Sequence, residues 1–419
     1  ERRKLVRHLV DFMRAERDRV YAADLGIRRL RPETAVSRLT DIEQAADSAR
    51  RSDLRKAGDE RTAEYTLIRD AHDLVEHGRA DDADWIAVAK TQLYRRKRAG
   101  NLADTIRTLA IFDGAGIEEH PERLVELMRT EDGHRAVETT LRRIKQQAIA
   151  ENVMEIITCG AVAPYNQILG GKLVAMLMTS PQVVRDVKAR YEGKVSLIAS
   201  GMAGRPIRRE PALAVLTTSS LYAVGSAQYN RVRVPGDIAG SKGDIRYERV
   251  GTTDSFGTVQ FASDTRESLL AVARLANSKQ RLVNNLFGEG MSPKLRSLRL
   301  GLDGLGLRPD EYLRHHSPRL LYAVPLATNA LDVMLGLTRR PKYVLPAKGG
   351  EATTTQIADH WYERWAKSRI ARPTALPALR QSRRDAHLLS RVASDLGASA
   401  YARSTAPATS GPTRCATCP

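Results

Sequence analysis

Val153-Met154-Glu155-Ile156-Ile157-Thr158-Cys159-Gly160-Ala161-Val162-Ala163-Pro164-Tyr165 is where the texture of this chain changes. An apolar run of strand length ends in small residues and a proline, which reads as a buried strand leaving through a turn. Asn166 to Tyr191 then reads as a helix. Ser180-Pro181 splits it in two, with Ser180 as cap of the second piece. Val195–Ala199 and Leu213–Thr218 read as two more strands. Strand, helix and strands in that order predict a mixed α/β unit, with a right-handed crossover if the strands pair in parallel.

Upstream, residues 1–150 carry helical periodicity throughout. Leu5, Leu9, Phe12 and Met13 form one apolar stripe among arginines, and Pro32-Glu33 marks a new helix start. Trp85, Val88, Ala89 and Leu93 with the basic run Arg95–Arg98 read as a helix ended by Gly100, its arginines on a solvated face. Pro121–Ala150 repeats the style, with Leu124, Leu127 and Met128 on one face. No catalytic constellation occurs here, so the region reads as a scaffold or partner-binding surface. Downstream, the glycines of 235–260 predict a hairpin or mobile loop. A helical pattern follows from Asp264 to Leu307, interrupted at Phe287–Gly290, and Leu320–Leu326 reads as a strand. From Lys367 to the end nine Lys or Arg face two Asp, and apolar periodicity fades. The expected class is α+β: helices over 1–150, an α/β core over 151–371 with helices in its C-terminal part, and a basic, disordered tail over 372–419.

Sixty-seven Lys and Arg against 49 Asp and Glu leave a net charge of +18 on 419 residues. Such a surplus draws the chain to polyanions and points to DNA or RNA. The 5% aromatic fraction argues against a long base-stacking platform. No run approaches the roughly 20 apolar residues of a membrane span, and the start lacks the order of a secretion signal, so the expected location is the cytoplasm. Cys159, Cys415 and Cys418 are too few and too uneven for a disulfide framework. The Cys415-x-x-Cys418 pair lacks the second pair that a closed zinc site requires, so no metal is expected there.

Three segments carry candidate chemistry. In Pro164–Leu173, Gly170 and Gly171 at a helix start expose backbone N–H groups beside Lys172, a combination suited to a phosphate or cofactor anion. The plain alternative is two glycines that permit close helix–sheet packing. Thr217–Tyr222 and Gly225–Arg231 place hydroxyls and a polar turn at the end of a strand. Tyr229 is a candidate general acid, and Asn230 and Arg231 are candidates to read a base edge or hold a phosphate. A hydrogen-bonded corner is the structural reading of the same residues. In Asn284–Arg296, Ser292 caps a helix that begins at Pro293, with Leu295, Leu298, Leu302 and Leu305 as its buried stripe. Lys294, Arg296 and Arg299 lie off that stripe and are candidates for a nucleic-acid backbone. Glu289, the acid of the preceding loop, is a candidate base. His315, His316 and His360 read as structural. HExxH, dinucleotide GxGxxG and Walker A patterns are absent, and no motif specifies a cofactor.

These segments, in this order, resemble the DruA family of the Druantia anti-phage systems. The likeness rests on Cys159–Asn166, Leu169–Leu173, Thr217–Tyr222 and Gly225–Arg231, then Phe287–Gly290 with Pro293-x-Leu295-Arg296, and Arg319–Val324 with Ala327-x-Asn329. It covers about residues 150–370. It implies a component of a defence cluster, which adds other defence-system proteins to the nucleic acid expected from the charge; no membrane partner is expected. Gln167-x-x-Gly170-Gly171 also partly resembles the pyrophosphate loop of GNAT acyltransferases, which makes the core similar to a divergent GNAT fold and an enzyme near Lys172, Tyr229 and Arg231 the alternative. Lys172 departs from that loop's pattern.

Overall fold

The computed structural model describes residues 2–57, 61–162, 165, 168–220, 228–238, 241–256, 261–276, 292–346, 350–374, 377, 380 and 381, with backbone alone at 254–256 and 315–317. Glu289 and nearly all of the tail from 372 lie outside the described residues.

The chain opens with helices α1 (Arg2–Arg19), α2 (Pro32–Ala57), α3 (Ala63–Glu76), α4 (Trp85–Lys90), α5 (Gln92–Ala115), α6 (Leu124–Leu127) and α7 (Glu131–Asn152). The stripe of α1 buries Val6, Leu9, Val10 and Met13 against Phe112, Ile117, Val137 and Ile144 of the α5 and α7 region. Leu5 stays 37% exposed, one position off that stripe. Met128, at the end of α6, is likewise exposed. Gly100 does not end a helix. α5 runs on to Ala115 and stops at Gly116, whose φ of 59° allows a left-handed cap. Gly100 is instead where α2 crosses: a Cβ there would lie 2.8 Å from the Glu43 carboxylate.

The basic run Arg95–Arg98 is not a solvated face either. Arg98 is fully buried and grips Asp24 through two bonds of 2.8 Å. It also donates to the Ala89 and Tyr21 carbonyls and lies over the Tyr21 ring. Arg96 pairs with Asp47 at 3.1 Å.

α7 passes without a linker into β1 (Val153–Ile156), and the expected boundary at 150 falls inside its last turn. Then come α8 (Gly170–Leu177), α9 (Pro181–Tyr191), α10 (Leu197–Ala203), β2 (Val215–Ser220), β3 (Arg233–Val234), β4 (Ile245–Arg246), β5 (Glu248–Phe256), α11 (Ser263–Ala276), α12 (Pro293–Gly304), α13 (Pro309–Leu313), β6 (Arg314–Pro325), α14 (Ala330–Met334), α15 (Gly350–Trp361) and α16 (Lys367–Ile370). The helix expected from Asn166 therefore starts at Gly170. Ser180 stands at the cap position of α9 but makes no side-chain cap bond.

Among the described residues the main sheet has the order β1-β2-β6-β5, β1 and β2 parallel and the other pairs antiparallel. One row of side chains, Ile156, Thr218 and Tyr322 with Leu216 and Val324, faces the core. There it meets Ala175 and Met176 of α8 and Ile357 and Trp361 of α15. The opposite row, with Glu155, Thr217 and Ala323, is half-exposed or exposed.

Residues 195–199 are not a strand. Ser196 accepts from Ala199 N and starts α10, which Gly204 ends at φ 65°. Only Val195 keeps an extended contact, an isolated bridge to Arg208. The small residues of α10 let it sit on Tyr94 of α5; a Cβ on Gly201 would come within 2.4 Å of that ring. The stretch expected as a hairpin or loop over 235–260 forms the β3–β4 hairpin and the edge strand β5. β6 begins six residues before the expected strand and includes His315 and His316. On α12, Leu295, Leu298 and Leu302 are buried as expected, but Leu305 sits at the C-cap and is 53% exposed. No helix among the described residues is long and apolar enough to cross a membrane.

Candidate nucleic-acid interface

Beyond the end of β2, Gln228–Arg231 makes one 3-10 turn. It turns Tyr229 inward and leaves Asn230 and Arg231 at the surface. Tyr229 goes in: it is 7% exposed, stacked on Tyr247 at 5.0 Å and tilted against Tyr322 at 5.3 Å. The Thr218 hydroxyl donates to the Ile156 carbonyl at 2.9 Å and lies 3.3 Å from the Tyr229 hydroxyl. Burial pushes the Tyr247 and Tyr322 hydroxyls above their ordinary range. It also raises the Cys159 thiol, which a hydrogen bond from Tyr229 offsets in part. Gln228 turns back to the start of α8. Its amide donates to the Cys159 carbonyl at 3.4 Å, and a Cβ on Gly171 would lie 2.2 Å from its Oε1. Gly171 is thus required by close packing, and Gly170, at φ 60°, by its backbone. Asn230 accepts from the Tyr322 hydroxyl at 2.7 Å, which leaves Arg231 exposed at the end of the turn.

Cations gather at this corner. Lys172, in the first turn of α8, places Nζ 5.2 Å from the centroid of the Trp365 ring, and Arg364 lies over the same ring at 5.1 Å. Arg369 donates to the Ile168 carbonyl at 2.9 Å and passes 3.3 Å from where a Gly170 Cβ would be. Partial burial lowers the Lys172 pKa, and the charges of Arg369, Arg231 and Arg364 lower it further. No carboxylate among the described residues forms an ion pair with any of these four. The α15 axis helps assemble them. Five positions of regular α-helix would set Arg364 and Arg369 about 140° apart. A π-helical stretch at Tyr362–Ala366 widens the turn between them.

From the corner, positive charge continues along the sheet. Arg249 on edge strand β5 is the cross-strand partner of Tyr322 and acts on its hydroxyl. It is exposed and, among the described residues, carries no ion pair. The two arginines of the neighbouring β3–β4 hairpin are neutralised. Asp244 binds Arg233 and Arg246 and accepts from Gly236 N, which together hold its carboxyl down at about 2.

The structure therefore brings together Gly170, Gly171, Lys172, Tyr229, Asn230 and Arg231. It does not bring α12 to them: that helix packs on α11 and α13. There Lys294 is exposed, Arg296 is half-buried and Arg299 is paired with Asp310 at 2.8 Å. Trp365, Arg364, Arg369 and Arg249 are the members of the cluster that sequence reasoning missed. The signal present was two arginines flanking a tryptophan in a helix whose register the π stretch alters.

Residues 137–336 match the family model of Druantia protein DruA. Over this region the chain is similar to the DruA family. Druantia protein DruA of Escherichia coli (strain UMEA 4076-1) is 29% identical to it over 187 residues, 44% of this chain and 41% of that protein. The chain thus spans less than half the length of the curated relative it matches. No solved structure matches it. The DruA region begins in α7 and closes after α14, so it holds the main sheet, Lys172 and Arg231. Arg364, Trp365 and Arg369 join the corner from beyond it. The GNAT likeness gains no support from the sheet, where two further helices separate α8 from β2 and the next neighbour is β6.

Proposed function

We propose that this protein is a cytoplasmic component of Druantia anti-phage defence that binds nucleic acid, with DNA the expected form, along the basic track from Lys172 to Arg249. The observation that carries this reading is the convergence of Lys172, Arg231, Arg364 and Arg369 on the start of α8 with no carboxylate partner among the described residues. Cations held together by the fold, against their mutual repulsion, suit a polyanion whose arrival relieves it. Tyr229 serves as a positioning residue in this reading, since its ring and hydroxyl fix the turn that presents Asn230 and Arg231. The helical region of α1–α7 is then the surface offered to other defence-system proteins.

Fluorescence anisotropy with labelled duplex DNA, single-stranded DNA and RNA tests it. Affinity should fall steeply with salt, the log–log slope reporting roughly 0.9 of each phosphate neutralised on duplex DNA. Lys172→Gln with Arg231→Gln should weaken binding alike for all sequences and flatten the slope by about one for each phosphate no longer neutralised. A salt-independent signal, or unchanged affinity in the double variant, would sink the proposal.

A further inference from the structure

We infer that the corner at the start of α8 is a subsite for a phosphate monoester, the terminal phosphate of a nucleic-acid strand, rather than one more contact to the internal backbone. This rests on the nucleic-acid reading above and names which part of the strand the densest charge would hold.

The first argument is charge and donor count. An internal phosphodiester carries one negative charge, which a single cation and a few N–H groups satisfy. A monoester carries about −1.5 to −2 at neutral pH and three terminal oxygens. The corner offers an ammonium and three guanidinium groups from three separate elements. Each guanidinium is a planar fork able to engage two oxygens. No side-chain cap bond occupies the start of α8 at the same place. That is more positive charge and more donors than a diester can use.

The second argument is asymmetry. Along the track the cations thin from four at α8 to the single Arg249 on β5, while Arg233 and Arg246 in the neighbouring hairpin are neutralised by Asp244. A strand lying along such a path has one end in dense charge and its body in sparse charge.

The third is rigidity. Lys172 and Arg364 both lie over Trp365, whose ring packs against the buried core, and Arg369 is held on the Ile168 carbonyl. These cations are placed before any ligand arrives, so little side-chain entropy remains to be lost on binding.

The test uses the full chain and three labelled oligonucleotides of one sequence: 5′-phosphorylated, 3′-phosphorylated, and hydroxyl at both ends. Unlabelled adenosine 5′-monophosphate serves as competitor and as additive in thermal unfolding. One phosphorylated end is expected to bind at least about tenfold tighter than the hydroxyl-ended strand, a difference of roughly 1.4 kcal/mol. Arg364→Gln, at an exposed position, should abolish that preference, so that the phosphorylated strands bind no tighter than the hydroxyl-ended one. Equal affinity for the three strands would overturn the subsite and leave nucleic-acid binding standing. No strand binding, together with a raised melting temperature in the monophosphate, would overturn the nucleic-acid reading and support a monoester pocket for free nucleotides. Neither strand nor nucleotide binding would overturn both.

Discussion

Arg98 shows how much a single side chain can ask of its surroundings. Its guanidinium is out of contact with solvent, and Asp24, Ala89 and Tyr21 supply the acceptors that make burial tolerable. Removing the counter-charge should be far worse than losing an ordinary surface pair. Asp24→Ala is expected to cost about 3–5 kcal/mol in urea unfolding, because a buried cation is left uncompensated; a loss under about 1 kcal/mol, the range of an exposed pair, would contradict this account. The pH dependence has a definite sign. Burial pulls the Asp24 carboxyl upward, but the hydrogen bond and charge of Arg98 outweigh it, so the group titrates below its ordinary 3.8. A depressed acid stabilises the fold above its unfolded pKa, and that stabilisation is lost as pH falls through the folded value. The urea midpoint should therefore drop more between about pH 6 and pH 3 in the wild type than in Asp24→Asn, and parallel losses would count against it.

At the level of elements, glycines decide where helices meet. Gly301 of α12 lies so close to α11 that an added Cβ would stand 2.2 Å from the Leu269 carbonyl oxygen. Backbone cannot step aside as a side chain can. Gly301→Ala should thus destabilise by about 1–3 kcal/mol, read as a lowered melting temperature, and an unchanged melt would show that the pair slides apart freely. The start of α12 was legible in the sequence because Ser292-Pro293 is a local signal with a local cause, and the Ser292 side chain does accept from Leu295 N. β1 and β2 were legible as apolar runs of strand length. α10 was not, since Val195–Ala199 has the composition of a strand and only Ser196 hints at a cap. Gly100 misled for the opposite reason: glycine near the end of a pattern suggests a stop, whereas here it answers to a neighbouring helix far away in sequence. Of the candidate corner, Gly170–Lys172 and Tyr229–Arg231 could be read directly. Arg364 and Arg369 could not, because their arrival beside Lys172 depends on tertiary packing and on a π stretch that has no simple sequence signature.

Over the whole molecule, charge and connectivity matter more than any single side chain. Many of the arginines behind the surplus of +18 are dispersed over the surface, several of them with carboxylates three or four residues away in the same helix. Those pairs contribute little and fade with salt. The helical region and the sheet are also tied together at several points: α7 enters β1 directly, Tyr94 lies against α10, and His8 bonds the Leu335 carbonyl at 2.7 Å. Calorimetry is expected to show one transition for both, and two well-separated transitions would refute that coupling. The seamless passage from Asn152 to Val153 has a further consequence for how such chains can change over evolutionary time. One residue added there would turn every side chain of β1 over, sending Glu155 beneath the tyrosines and Ile156 out to water. Lineages carrying this architecture should therefore gain and lose residues at turns such as the one around Gly78, while the length of the α7–β1 junction stays fixed.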